Sequence, residues 1–356
     1  MEFHMKKFGK ALALALTLSL LVSVMAGCGK KDSTESEKET TTTEASAEVS
    51  DSTEASKEES TEATTESTAE ATEETFEEGY PVELTDIYGY TSVVKAKPQR
   101  IVSLSPACTE LIYSLGQGSS LVGRTSVCNY PAEVESVESI GDMYAPDTEK
   151  IVSLNPDIVL TDSSITPEAV VNQLRELGLN VVILNEGTTF DGVYKKIEDM
   201  GKVFHADDVA AQVIDGMKKE LADVQEAIKD AAEHPSVYYV VGFGESGDWT
   251  ATGDTFINDI ITMAGGENIA KDGTYYMYNV EDLVAADPDV ILLPSWADGS
   301  FQVTEPYSNL TAVKEGRVYV LQSTDTLDRQ CARNPEAVKM LAEIFYPEIF
   351  AEEKAA

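Results

Sequence analysis

Two stretches of the chain, "TEKIVSLNPDIVLT" from Thr148 and "VEDLVAADPDVILLP" from Val280, place a glutamate seven positions ahead of a Pro-Asp pair that opens an aliphatic run. The acids are Glu149 and Glu281, and Asp147 and Asn279, two residues ahead of each, are good helix N-caps. Each glutamate therefore falls in the first turn of a short helix, where the helix dipole favours a carboxylate without any further partner. An enzyme would need a nucleophile, a base or a metal cluster, and the sequence offers none. There is no G-x-S-x-G, no phosphate-cradling glycine loop and no histidine near a serine or cysteine motif. "GFGESG" lacks the lysine and spacing of a P-loop and reads as a cleft loop. His4 precedes the first apolar run, and His205 and His234 flank a long helical pattern. Cys108, Cys128 and Cys331 are widely spaced and odd in number, so they form neither a disulfide framework nor a zinc pattern; one disulfide or free thiols both fit. No enzyme activity, cofactor or metal site is expected.

The elements that position these residues are read from periodicity. Strand candidates are "IVSLS", "SLVGRT", "DIVLT" and "NVVIL" in the first half, and "VYYVVGF", "DVILLP" and "RVYVLQ" in the second. They alternate with helical patterns, which argues for an α/β fold with parallel strands. The repeated phrase is one helix–turn–strand unit, the helix stopped by proline and the strand buried, used once in each half. Between the halves, Val213, Met217, Val224 and Ile228, with Ile214 and Leu221 interleaved, keep helical spacing. Asp207 or Asp208 can cap its start and Pro235 follows its end, which predicts a helix of about 27 residues, roughly 40 Å long. Two α/β lobes with parallel-rich sheets joined by one long rigid helix would enclose a cleft, a preferred place for a small-ligand site.

The N-terminal part reads differently. "MEFH" looks foreign, a cloning scar or an alternative start, with the natural start at Met5. Lys6, Lys7 and Lys10, the run "ALALALTLSLLVSVM" and "AGC" are the parts of a secretory signal. The run is short for a membrane span. From residue 29 to 79 the chain is almost entirely Ser, Thr, Glu and Ala, a composition that buries too little to fold. As a flexible tether of about fifty residues it would reach roughly 40 Å. Of the net charge of −37, about −26 falls beyond this tether. Such an acidic domain has no electrostatic footprint for nucleic acid and is repelled by anionic lipid. The expected organisation is a signal peptide over 1–27 (with 1–4 the scar), a tether over 28–79, an N-terminal lobe over 80–204, a connecting helix over 205–235 and a C-terminal lobe over 236–356.

The stretches "RIVSLSPACTELIYSLG", "VGRTSVCNYP", "SIGDMYAPDTEKIVSLNPDIVL", "GDTFINDIITMAGGENIA" and "DTLDRQCARNPEAV" resemble, in order, the motifs of substrate-binding proteins for cobalamin and related metal chelates. The resemblance covers nearly all of the chain after about Lys97. It implies a periplasmic-binding-protein-like fold of two lobes bridged by one helix, a monomer serving an ATP-driven (ABC) importer. "AGC" resembles a bacterial lipobox, with Met25 in place of the usual Leu, and makes Cys28 the expected lipid anchor on the outer face of the cell membrane. An ordinary signal peptide with an incidental cysteine is the alternative. In the family a glutamate on each lobe docks onto arginines of the permease, and the matching positions are Glu149 and Glu281, bringing the permease and its ATPase together with the receptor.

For the ligand, the resemblance implies contacts from loops facing the cleft: Tyr130 in "CNYP", Met143 and Tyr144 in "DMYAPD", Trp249 in "GDWTATG", Tyr275, Tyr276 and Tyr278 in "GTYYMYN", and Asp325 and Arg329 in "STDTLDRQ". Aromatics can lie flat against a macrocycle, and the acid–base pair can hydrogen-bond amides or phosphate. Each tyrosine taken alone is more readily a core or rim residue with its hydroxyl satisfied. Three tyrosines in four residues beside a glycine are hard to bury together, so at least one should face the cleft. Cys128 reads as a small buried thiol, with approach to a metal centre the alternative. The expected ligand is a corrinoid of the cobalamin type. Tyr stands where Trp is usual at several platforms, which keeps haem or a ferric siderophore as alternatives; a surface lipoprotein binding a macromolecule is a further one.

Overall fold

The computed structural model describes residues 75–353 apart from Ser246. The expected signal segment, Cys28 and the tether as far as Glu74 lie outside the described residues. The described chain opens with an antiparallel hairpin, β1 (Val82–Thr85) and β2 (Thr91–Val94). An alternating series follows: β3 (Ile101–Ser103), α1 (Pro106–Ser114), β4 (Leu121–Arg124), α2 (Thr148–Ser153), β5 (Ile158–Asp162), α3 (Glu168–Glu176), β6 (Val181–Leu184) and α4 (Phe190–Val203). Helix α5 (Asp207–Ile228) leads to a second series. This comprises β7 (Ser236–Gly242), β8 (Asp248–Thr250), α6 (Phe256–Met263), β9 (Glu267–Asn268), β10 (Met277–Tyr278), α7 (Val280–Ala286) and β11 (Val290–Pro294). It ends with α8 (Thr311–Lys314), β12 (Val318–Leu321), α9 (Asp325–Asp328), α10 (Asn334–Phe345) and α11 (Pro347–Glu353). All seven strands read from the sequence are present; β1, β2, β8, β9 and β10 were not anticipated, being too short to establish a period.

The first lobe holds a parallel sheet in the order β4-β3-β5-β6. The second holds parallel β7, β11 and β12, with β9 beside β7 and the antiparallel strands β8 and β10 added at one edge. Both sheets are covered on two faces, which is why their strands are continuous aliphatic runs. Successive side chains alternate between the faces. In β5, Ile158 and Leu160 enter one core and Val159 another; in β11, Val290 and Leu292 enter the first core while Ile291 and Leu293 enter a third.

The first of these cores runs without a break through α1, α4, α5, α6 and α10, so it spans both lobes. Helix α5 contributes Ala210, Ile214, Met217, Leu221, Val224 and Ile228, a stripe spaced alternately four and three residues. Val213 lies only at its edge. The helix has 22 residues, shorter than the 27 read from the sequence, and is about 33 Å long. Ile228 is its last residue, and the last that it buries. Asp207 and Asp208 do not cap the helix: Ala206 occupies the N-cap position without a side-chain bond, and the two acids sit in the first turn, where they complement the dipole. At Gly201 a Cβ would fall 2.7 Å from that of Ala210, so the glycine permits the close approach of α4 to α5.

The repeated phrase folds the same way twice. Asp147 and Asn279 cap α2 and α7 through their side chains, accepting from the N–H groups of Lys150 and Glu281 at 2.9 and 2.7 Å. The residue before each proline, Asn155 or Asp287, turns left-handed with φ of 46° and 43°, a conformation that Asn and Asp tolerate. The aspartate after each proline then ties the turn to the beginning of the neighbouring strand. Asp157 accepts from the N–H groups of Gln99 and Arg100 at 2.8 Å, just ahead of β3. Asp289 accepts from the N–H and hydroxyl of Ser236 at 2.9 and 2.6 Å, where β7 begins.

The Ser236 hydroxyl, then its N–H, hold the Asp289 carboxyl below its usual range. A depressed folded value means that its stabilisation is present above the unfolded pKa and is lost as pH falls through the folded one. Because the side chain is half exposed, Asp289→Ala is expected to cost only about 1 kcal/mol near neutral pH. Urea unfolding at a series of pH values should show that deficit shrinking below about pH 4.

Candidate functional site

In parallel sheets the loops that leave the strands' carboxyl ends gather at one edge, where ligands of open α/β sheets bind. Here those edges of the two lobes meet. Glu110 of α1 accepts from Arg329 Nη1 at 2.8 Å and from Arg333 Nε and Nη2 at 2.8 and 2.9 Å. Asn129, beyond β4, donates to Asp325 at 3.3 Å and accepts from Arg329 at 2.7 Å. Gly187, beyond β6, exchanges backbone bonds with the Gln330 amide, and the Phe190 N–H donates to Asp259 at 2.8 Å. Two surface cavities lie elsewhere. One of about 560 Å³ is bounded by Pro235, Asp289, Arg317 and Tyr346; another of about 430 Å³ lies between α5 and α10. Neither is lined by the residues expected to bind ligand.

Beneath the first lobe's edge is a buried charge cluster. Lys196 of α4, fully enclosed, pairs with Asp162 at the end of β5 and with Glu186 at 3.4 Å. Burial alone would favour the neutral amine, but the two carboxylates outweigh it and hold Lys196 charged. Asp162 also accepts from the Ser105 hydroxyl and the Cys108 thiol. Burial and then Asp162 push that thiol up, so Cys108 stays neutral. Cys108, Cys128 and Cys331 are all free and buried, which settles the choice between disulfide and thiols. Cys128 receives a hydrogen bond from Thr109 at 3.1 Å and does not reach the cleft surface. Among the described residues no group of His, Cys, Asp and Glu is arranged to hold a metal ion.

The expected ligand residues are placed unevenly. Tyr130 lies at the lobe boundary with the Arg333 guanidinium 3.8 Å over one ring face, and is partly exposed. Tyr144 is exposed and Met143 half-buried on the loop ahead of α2, where Asp142 holds the Tyr144 N–H at 2.8 Å. Trp249 of β8 pairs across the ladder with Met277 of β10, both exposed. Tyr275 and Tyr276 follow one another in the left-handed region, φ of 58° and 61°, a strained backbone for bulky residues. Their N–H groups are held by Asp254 at 2.9 Å and Thr252 at 3.1 Å. Gly253, between these two anchors, lets the chain at Lys271 approach closely, because a Cβ there would lie 1.8 Å from the Lys271 carbonyl oxygen. The result displays Tyr275, 78% exposed, and Tyr276. The Tyr276 hydroxyl is raised by burial and then by Asp328, Asp254 and Glu186.

Two expectations need correction. Tyr278 alternates to the other side of β10 from Met277, packs on Tyr238 with ring centroids 5.9 Å apart, and donates to the Ile269 carbonyl at 3.2 Å. It is half-buried, packed against the second lobe's core. Arg329 is not presented as a free base. It is spent on Glu110, Asn129 and Asp325, and Asp325 is correspondingly paired.

Other residues at these edges were not read from the sequence. Trp296, directly after β11, is 62% exposed and stacks on Phe243, which follows β7, at 5.9 Å and 9°. Its position two residues past a buried parallel strand was the available signal. Asp328 is open to solvent, yet the surrounding protein, and then Asp325, raise its carboxyl against the hydrogen bond from Thr324. Glu186, on the facing lobe, is raised chiefly by burial and then by Asp162. The cleft thus has aromatic and acidic walls, and Arg329, Arg333 and Lys196 are each internally paired. Glu149 and Glu281 are both exposed, each the second residue of its helix. The caps of these helices are anchored near the carboxyl ends of β4 and β7: the Asp147 N–H bonds Ile140, itself bonded to Arg124, and Asn279 follows β10, which pairs with β8 beside Gly242.

A profile of the periplasmic binding protein family matches residues 101–324. The ABC transporter substrate-binding lipoprotein YvrC of Bacillus subtilis (strain 168) is 34% identical over 280 residues, 77% of this chain and 88% of that protein. A cobalamin-binding protein of Halobacterium salinarum is 28% identical over 75% of this chain and 74% of its own length. The periplasmic heme-binding protein RhuT from Roseiflexus sp. RS-1, solved in its apo form, superposes with a TM-score of 0.64 and 26% identity, covering 70% of this chain and 99% of its own. With its two α/β lobes, single connecting helix and facing strand edges, the chain belongs to the periplasmic binding protein family, as a binding protein and not an enzyme.

Proposed function

We propose that the protein is the substrate-binding component of an ABC importer and captures a corrinoid between its lobes. The observation that carries the choice of ligand is the state of the cations. Arg329 and Arg333 are committed to Glu110, and Lys196 to Asp162 and Glu186, while Glu186 and Asp328 flank the cleft. Haem brings propionates and ferric siderophores commonly bring anionic chelating groups, which such walls repel. A corrin ring brings neutral amide side chains, which carboxylates and tyrosine hydroxyls can hydrogen-bond, and a broad face for Trp249, Tyr276 and Trp296. The likeness to the cobalamin-binding protein of Halobacterium salinarum points the same way. A haem reading draws on the likeness to RhuT and on tyrosine hydroxyls able to ligate ferric iron, but it needs one of the paired arginines to be released.

The receptor would be exported, held on the outer face of the membrane through a lipid on Cys28, and seated on the permease by Glu149 and Glu281. Equivalent, exposed acids on both lobes suit a partner that must contact both at once.

Titration of the purified protein with cyanocobalamin, cobinamide and haem, followed by absorbance and calorimetry, should give submicromolar binding of a corrinoid. Trp249→Ala or Tyr276→Ala should weaken it roughly tenfold. Haem binding without corrinoid binding would reverse the ligand assignment. For delivery, Glu149→Lys combined with Glu281→Lys should abolish corrinoid uptake by cells while leaving the affinity of the purified protein unchanged. Uptake that survives the double change removes the docking role.

A further inference from the structure

We infer that Glu110 is the positioning residue that fixes the spacing of the two lobes in the unliganded protein, acting through Arg329 and Arg333. The side chain is 2% exposed although it sits in a helix of the first lobe, and its carboxylate takes three charge-assisted hydrogen bonds from the second. Arg333 approaches it with two nitrogens, the forked geometry that gives a guanidinium–carboxylate pair direction as well as strength. A buried carboxylate separated from such partners is left uncompensated, so parting the lobes here carries a penalty that an apolar contact would not impose.

The second lobe's half of the latch is a single segment, and the structure shows how it is shaped. Asn334 is fully buried; its amide nitrogen donates to the carbonyls of Thr326 and Arg329 at 2.8 and 2.7 Å, and its oxygen accepts from the Cys331 N–H at 2.8 Å. This folds the chain between α9 and α10 so that Arg329 and Arg333 converge on one carboxylate. Outside them, Asn129 joins Arg329 and Asp325, and Gln330 joins Gly187. Arg333 also covers one face of Tyr130. The latch therefore holds that ring at the boundary with its other face turned away from the guanidinium. The long helix fixes where the lobes are joined; the latch fixes how far apart their edges stand.

Cys331, between the two arginines and fully buried, reports on this boundary, whereas Cys108 lies inside the first lobe against Asp162. The test is alkylation of the unliganded, purified protein by iodoacetamide, with the modified cysteine identified by mass spectrometry. Glu110→Gln keeps the side chain's shape but cannot compensate two guanidinium groups. It should speed modification of Cys331 at least tenfold while Cys108 stays within twofold of the wild type. Arg333→Lys, which leaves Glu110 with a cationic partner but removes the fork, should raise the Cys331 rate by a smaller factor and serves if Glu110→Gln does not fold. Leu174→Ala, in the first lobe's outer core, is the control and should not open Cys331 selectively. Unchanged Cys331 reactivity in a folded latch variant, or equal acceleration of Cys331 and Cys108, would overturn the latch. No ligand is present in this experiment, so its outcome is independent of whether the cleft takes a corrinoid or a haem.

Discussion

The apolar stripe of α5 is the constraint on which the remaining architecture depends. Six side chains on one face of a single helix enter a core that also receives β5 and α4 from one lobe and β11, α6 and α10 from the other. Two domains with separate cores and a flexible linker would move independently. A shared core makes relative movement costly, because any large rotation would expose apolar side chains that each contribute roughly 1.5–3 kcal/mol when fully buried. The facing strand edges are consequently held in register for a binding site before any ligand arrives.

Charge complements this arrangement. The chain is strongly acidic, and its buried carboxylates are given cationic partners. Lys196 pairs with Asp162 and Glu186 beneath the first lobe's edge, and two arginines pair with Glu110 at the boundary. Cations used for internal compensation are not available to anionic ligand groups. Structural ion pairing and ligand preference are therefore one electrostatic problem in this molecule.

The repeated helix–strand phrase separates two roles that sequence alone runs together. Its Pro-Asp is structural in both copies: the left-handed residue before proline ends the helix, and the aspartate after it pins the neighbouring strand. Glu149 and Glu281 contribute nothing to that turn and remain on the surface. The same division holds in the tyrosine-rich loop. Tyr276 is displayed while Tyr278 is half-buried against the second lobe's core, because two residues in an unusual backbone conformation precede a two-residue strand whose alternation then decides each side chain's direction.

Local patterns were enough to determine the seven principal strands, the long helix, the caps of α2 and α7 and the fold class. Those features arise from propensities and periodicities spanning fewer than about twenty residues. What only the tertiary structure decided was pairing across long stretches of chain. Glu110 stands more than two hundred residues from the arginines that satisfy it, so nothing in "PACTELIYS" reveals whether its acid is a surface charge or half of a latch. The same holds for Arg329, read as a ligand contact until its partners were placed, and for Trp296, whose meaning comes from the edge at which β11 ends. Periodicity records which way a side chain faces within its own element; it does not record what waits on the other side, because that is set by how the elements pack.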